Sequence, residues 1–117
     1  MSLDLEINKA VQQGINKDLL LTNFIIQLKK DLAMSRIELE NNLNEQANLN
    51  DVFDAVRVLI NKLSFSQLQE LLYRIDIPEI STKQTNFEIE QIKGEHLTQL
   101  IFKRILQKVV LKIKFSK

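Results

Sequence analysis

The only histidine of the chain, His96, is the first side chain to consider for acid–base or metal chemistry. Glu95 and Glu88 are the acids that would pair with it, but neighbouring residues of a helix do not face one another. Functional histidines are normally recognised through a partner that orients the ring, and no such pattern surrounds His96. We therefore predict that His96 caps a helix, packs or lies in solvent, and that it is not catalytic.

The carboxylates have the spacing of helix surfaces. Glu38, Glu40 and Glu45 fall in a polar stretch, whereas Asp51 and Asp54 crowd the start of a predicted helix, where the helix dipole favours them. A di-metal helical bundle would need Glu-x-x-His pairs, and the sequence has none. Cysteine is absent, and two isolated glycines cannot build a phosphate-binding loop. We predict no catalytic residue, no metal site and no cofactor, and hence a protein that is not an enzyme.

Positive charge is concentrated in residues 93–117, which hold seven lysine and arginine side chains against one acid; residues 1–92 hold nine against fourteen. Four of these cations mark a candidate interaction surface on the predicted last helix: Lys103, Arg104, Lys108 and Lys112. Together with Lys114, this stripe suits a phosphate backbone or an anionic membrane surface, although no aromatic side chains interleave with it as stacking platforms. We predict no membrane partner. The stripe equally suits a solvated face that balances the acidic part of the chain and the helix dipole.

Tyr73 and Arg74 form a second candidate interaction surface, just before the only proline of the chain. Tyrosine and arginine are enriched among the residues that dominate binding energies at protein interfaces. The alternative is an amphipathic residue at the rim of the core beside an exposed ion pair between Glu70 and Arg74, and we prefer this alternative.

A helical hairpin over residues 50–79 is the best-specified element of the sequence. Ser64-x-x-Gln67 has the pattern of a capping box that starts its second helix, and Pro78 ends that helix near Asp76. Apolar residues recur every three or four positions along both helices. They are Val52, Phe53, Val56, Leu59, Ile60, Leu63, Leu68, Leu71, Leu72 and Ile75.

Helices are also predicted on both sides of the hairpin. One covers residues 3–11, and Gly14 either closes it or marks a bend. The next starts at 16–18 and carries apolar residues as far as Ile37. The last spans 95–114 with apolar positions on two faces, which indicates either a central helix or one shared with a second subunit. The alternation from Lys112 onward leaves a short terminal strand as an alternative to the end of this helix. For residues 79–94 we predict a loop with one helical turn, with an extended segment as the alternative.

The main stripes of these flanking helices can be specified by residue. Leu3, Ile7, Ala10 and Val11 share one face of the first helix; Leu21, Phe24, Ile25, Leu28 and Leu32 form the stripe of the second, widened by Leu20, Ile26, Ala33 and Ile37. On the last helix one stripe is Leu97, Ile101, Ile105 and Val109, and the other is Phe102, Leu106, Val110 and Ile113.

No segment has the length of a membrane span, because uninterrupted apolar runs reach only three residues, against the ~18 that a span needs. The first ten residues, MSLDLEINKA, carry acids where a signal peptide would need a basic segment. We predict a cytoplasmic protein.

The segments QELLYRIDIPE and HLTQLIFKRILQKVVLKIKFS resemble a family of small uncharacterised proteins from Bacteroidetes-type bacteria. That family pairs an LLYRID helix with a C-terminal helix of the form I-I-x-R-x-L-Q-K, and the resemblance covers about residues 52–115. The matching positions here are Leu71–Asp76, Ile101, Arg104, Leu106, Gln107 and Lys108. Phe102 and Lys103 replace the more usual aliphatic–acidic pair. The resemblance implies a bacterial, cytoplasmic setting and no mechanism.

Taken together, the sequence predicts one all-α domain over residues 1–117, a compact bundle of four to five helices with a central helical hairpin. The predicted function is a small protein–protein interaction module, with a homodimer as one form because the last helix carries more apolar surface than one side needs. Nucleic-acid binding through the basic last helix is the alternative function.

Overall fold

The computed structural model describes residues 3–38, 49–77 and 94–115, and these ranges contain five helices and no strand. The helices are α1 (Leu3–Gln12), α2 (Lys17–Met34), α3 (Leu49–Lys62), α4 (Phe65–Ile75) and α5 (Glu95–Phe115). They pack around one continuous apolar core. The predicted all-α bundle is therefore confirmed. None of the described helices combines the length and the apolarity needed to cross a bilayer.

The capping box predicted from the sequence is present at the start of α4. The Ser64 hydroxyl accepts a hydrogen bond from the Gln67 N–H at 3.2 Å, and the Gln67 side chain accepts one from the Ser64 N–H at 3.1 Å. Leu63 and Leu68 are both buried, as a hydrophobic staple requires. The capping box satisfies two backbone donors that the first turn would otherwise leave unpaired, so it fixes where α4 begins.

The boundary between α1 and α2 forms as predicted, whereas α2 ends earlier than predicted. Gly14 has a φ of +94° after α1, and the Asn16 side chain caps α2 by accepting from the Leu19 N–H at 3.0 Å. Helix α2 ends at Met34, before the predicted limit at Ile37. Arg36 adopts a left-handed φ of 61° there. The chain thereby turns while Ile37 stays in the core, because its N–H donates to the Leu32 carbonyl at 2.9 Å.

Helix α5 lies at the centre of the fold and contacts all four other helices, most extensively α2. Its first predicted stripe is fully buried: Leu97, Ile101, Ile105 and Val109. Phe102 and Leu106 of the second stripe are also buried, and Val110 and Ile113 are half-buried. The two apolar stripes of α5 predicted either a central helix or one shared with a second subunit. The central position within a single chain accounts for most of this apolar surface.

Phe102 is the residue around which the core is built. Its ring lies edge-on to Phe24 of α2, with centroids 5.0 Å apart, and edge-on to Phe53 of α3, at 5.2 Å. Phe24 and Phe102 are completely inaccessible to solvent. This aromatic triplet joins three helices that are far apart in sequence, and edge-to-face pairs of this kind add stability beyond the area they bury.

Several side chains differ from the predicted stripes. On α2 Leu20 is fully buried and Leu21 only partly, while Ile26 and Ala33 are exposed, so the buried face is rotated slightly from the predicted one. On α1 Val11 is exposed beside the buried Ala10. The polar stretch that contains Glu40 and Glu45 lies outside the described residues, as does the segment 79–93, for which a loop with one helical turn is predicted.

Replacing Phe102 with leucine tests how much the aromatic triplet contributes to the free energy of unfolding. We expect Phe102→Leu to lower the free energy of unfolding by about 1–3 kcal/mol, because each lost aromatic pair is worth about 0.5–1.5 kcal/mol beyond its buried area. Phe115→Leu, the same substitution on the same helix at a side chain that is 81% exposed, should change it by less than about 0.5 kcal/mol. Urea denaturation followed by circular dichroism measures both; equal effects would contradict the role given to Phe102.

Candidate functional site

The predicted interaction residues lie on two neighbouring helices, but the structure brings only some of them together. Arg74, Arg104 and Lys108 converge where the C-terminal end of α4 meets the middle of α5. Tyr73 points away and is 75% exposed. Lys103 and Lys112 make no ion pair or side-chain hydrogen bond within the described ranges. We call the convergent group, with Asp31 and Asp76, the α4-end cluster.

Arg104 binds the residue that terminates α4. Its Nε donates a hydrogen bond of 2.9 Å to the Asp76 carbonyl oxygen, and its Nη2 lies 4.0 Å from the Asp76 carboxylate. Asp76 has a left-handed φ of 59°, and its own N–H donates to the Leu72 carbonyl at 2.9 Å. Arg104 therefore satisfies a carbonyl at the negative end of the helix dipole, where a cation is stabilising.

Lys108 connects three helices. Its Nζ donates to the Arg74 carbonyl oxygen at 3.4 Å and lies 3.7 Å from Oδ2 of Asp31, on α2. Asp31 is only 4% exposed, and its Oδ1 accepts a hydrogen bond of 3.1 Å from Gln27 Nε2. Oδ2 accepts no hydrogen bond from the described part of the chain. The Lys108 ammonium is thus the main compensation for a buried carboxylate.

Asp31 was not singled out from the sequence, although a signal for it exists. It continues the three-and-four spacing of Phe24 and Leu28 toward Ser35, so it occupies a position of the buried stripe. Ser35 is also buried and polar. An acid at a core position of a helix needs a cation from elsewhere in the fold, and Lys108 supplies it.

The contacts of Arg74 differ from the predicted exposed ion pair. Both Glu70 and Arg74 are described and exposed, yet no ion pair joins them. Instead Arg74 Nη1 lies 3.9 Å from the sulfur of Met34, at the end of α2. Tyr73, the neighbouring residue on α4, remains a predicted interaction residue, and its exposure to solvent is the only structural feature that supports this prediction.

Two grooves flank the C-terminal half of α5. The α1–α5 groove has a volume of about 320 Å³ and is lined by Glu6, Lys9, Ala10, Gln13, Arg104, Leu106, Gln107, Val110, Leu111 and Lys114. The α2–α5 groove has a volume of about 230 Å³ and is lined by Leu19, Asn23, Val109, Lys112 and Ile113. Both are open to solvent and partly apolar. They place Lys112 beside a groove, away from the α4-end cluster.

Exposed apolar side chains accompany these grooves. Leu111 is 51% exposed at the edge of the α1–α5 groove, and Phe115, one turn further along α5, is the most exposed large hydrophobic residue of the described ranges. Leu19, in the α2–α5 groove, is also exposed. We call Val110, Leu111 and Phe115 the α5-end patch. The sequence prediction did not single out this patch, because exposure within an apolar helix is decided by the neighbouring helices.

Of the acid–base candidates, the structure describes His96 and Glu95. His96 and Glu95 are both exposed at the start of α5, and His96 forms no ion pair or side-chain hydrogen bond with the described residues. Among the described residues, no group of three or more potential ligands could hold a metal ion. Glu88, Glu40 and Glu45 lie outside the described ranges.

Comparison with protein-family models, with curated proteins and with solved structures finds no match to this chain. The resemblance to the Bacteroidetes-type family therefore stays a prediction.

A double-mutant cycle tests the α4-end cluster. We expect Lys108→Met to lower the free energy of unfolding by about 1–3 kcal/mol, because it leaves a buried carboxylate without its cation. In the Asp31→Asn background the same change should cost much less, since the neutral amide needs no cation. Chemical denaturation of the four proteins gives the coupling energy.

Lys112→Met is the matched control for this cycle. Lys112 lies one turn beyond Lys108 on α5 and is exposed, so the substitution should change the unfolding free energy by less than about 0.5 kcal/mol. Strictly additive effects of Asp31→Asn and Lys108→Met would contradict the pairing.

Proposed function

We propose that this protein is a small helical protein–protein interaction module that binds its partner through the α5-end patch. The observation that carries the proposal is the exposure of Leu111, which lines the open α1–α5 groove, together with that of Phe115 one turn further along α5. A bacterial, cytoplasmic setting is part of the proposal and rests on the resemblance of residues 52–115.

Single exposed hydrophobic residues are normal on a protein surface, so the grouping matters more than the number. Leu111 and Phe115 are four residues apart and therefore lie on the same side of α5. Half-buried Val110, which lines the same groove as Leu111, joins them to the core. Apolar groups clustered beside concave surfaces are typical of sites where another molecule docks.

A second copy of this chain is one form of the proposed partner. The central position of α5 removes much of the original reason for a homodimer, because Phe102 and Leu106 are covered by the other helices of the same chain. What remains for a dimer is the α5-end patch. Lys112 and Lys114 flank that patch and would repel their counterparts if two such patches met face to face.

Nucleic-acid binding through α5 receives less support. Arg104 and Lys108, two of the five cations in that prediction, are directed at the carbonyl oxygens at the end of α4. Lys103, Lys112 and Lys114 are left to contact phosphates, with no aromatic stacking platform among them. We therefore place protein binding first.

Site-specific photo-cross-linking tests the proposed module, because it captures a bound partner of any identity. A photoreactive amino acid replaces Leu111 in one variant and Val58 in another, and each is expressed in cells of the source organism. The two positions have similar exposure, 51% and 45%, but Val58 lies on α3, outside the α5-end patch. We expect discrete cross-linked species from position 111 and none from position 58.

The mass of the product separates the two forms of the proposal. A homodimer would cross-link at twice the 13.7 kDa of the chain, and a different partner protein at another mass. Equal products from both positions, or no product from position 111, would show that the α5-end patch is not a binding surface.

A further inference from the structure

We propose that the α1–α5 groove binds an acidic amphipathic helix of a partner protein. This inference rests on the proposed function and adds the chemistry of the partner. Three features of the groove support it: an apolar floor, a predominantly cationic rim, and the continuation of its apolar strip along α5. Each feature restricts what the groove can hold.

The groove has an apolar floor and is almost three helical turns long. Its floor consists of Ala10, Leu106 and Val110, and Leu111 lies at its edge. The α5 wall extends from Arg104 to Lys114, a length of about 15 Å at 1.5 Å per residue. A groove of this length between two helices suits a third helix that inserts an apolar face, with anchors spaced three and four residues apart.

The charged residues that line the groove favour a partner helix with acidic residues on its polar face. Lys9 stands on the α1 wall and Lys114 on the α5 wall, against the single acid Glu6. Arg104 also lines the groove, but its guanidinium binds Asp76, so it is not counted among the free cations of the rim. A rim with more free cations than acids around an apolar floor is complementary to apolar residues flanked by aspartate and glutamate, and it disfavours a basic partner.

The apolar strip continues beyond the groove, which favours a helix over a small molecule. The groove volume of about 320 Å³ is near the lower limit for small-ligand pockets. Leu111, at its edge, is followed one turn later by Phe115, so the apolar surface extends past the enclosed volume. A second copy of this chain fits less well, because its exposed α5 end would bring Lys112 and Lys114 to a groove that is already cationic.

Selection from a displayed library of helical peptides tests the inference. The library fixes an amphipathic pattern, with apolar residues at positions i, i+4 and i+7, and randomises the other positions. The full-length protein is the target. We expect enrichment of aspartate and glutamate on the polar face, and fluorescence anisotropy with the synthesised peptides then measures their affinity.

Two variants and a matched control locate the binding. Lys9→Glu/Lys114→Glu should weaken binding by about tenfold or more, since two exposed charge pairs become repulsive. Leu111→Glu should abolish it. Lys29→Glu/Lys30→Glu makes the same change of net charge at exposed positions of α2 that do not line the groove, and should leave the affinity within about twofold. Circular dichroism verifies that all variants are folded.

Three results would overturn the inference: no enriched peptide, enrichment of neutral or basic peptides, or acidic peptides whose affinity Lys9→Glu/Lys114→Glu leaves unchanged. A cross-link from position 111 at twice the chain mass would also overturn it, because a second copy would then occupy the site, while the proposed module would stand. The proposed function would fail in a different way, because no cross-linked product would then form from position 111.

Discussion

The contact of Phe102 with Phe24 and Phe53 is the constraint on which the rest of the structure depends. Interiors are packed as densely as organic crystals, so three rings in edge-to-face contact fix the distances and the rotations of their helices together. With α5 held between α2 and α3 in this way, its buried face is determined. Its opposite side is determined too, and that side presents Leu111 and Lys114 to the groove along α1.

The α4-end cluster completes this arrangement with polar contacts. A helix that carries many lysines and arginines through the middle of a bundle would be unstable if those charges met only apolar groups. Here Arg104 and Lys108 lie at the C-terminal end of α4, where carbonyl oxygens and the helix dipole favour cations. The buried Asp31 supplies the remaining negative charge. The basic character of α5 is therefore partly a structural requirement, which is why charge alone was an ambiguous guide to function.

The features that the sequence predicts well are helix caps and turns, because these depend only on residues close together in the chain. The capping box of Ser64 and Gln67 and the turn at Gly14 are local, and both form as predicted. The partners of Lys108 could not be predicted, because a backbone carbonyl such as that of Arg74 has no signature in the amino-acid sequence. The exposure of Phe115 depends on where α1 and α2 end beside α5, which periodicity does not specify.

The central position of α5 has a consequence for how the chain acquires its structure. The element that every other helix packs against is the last of the five along the chain, and residues as distant in sequence as Ala10 and Leu106 line one groove. Contacts of such long range slow folding, because the intervening chain must be ordered before they form. During synthesis α1 to α4 emerge before their common partner exists. The core formed by these five helices is therefore completed only after α5 has left the ribosome.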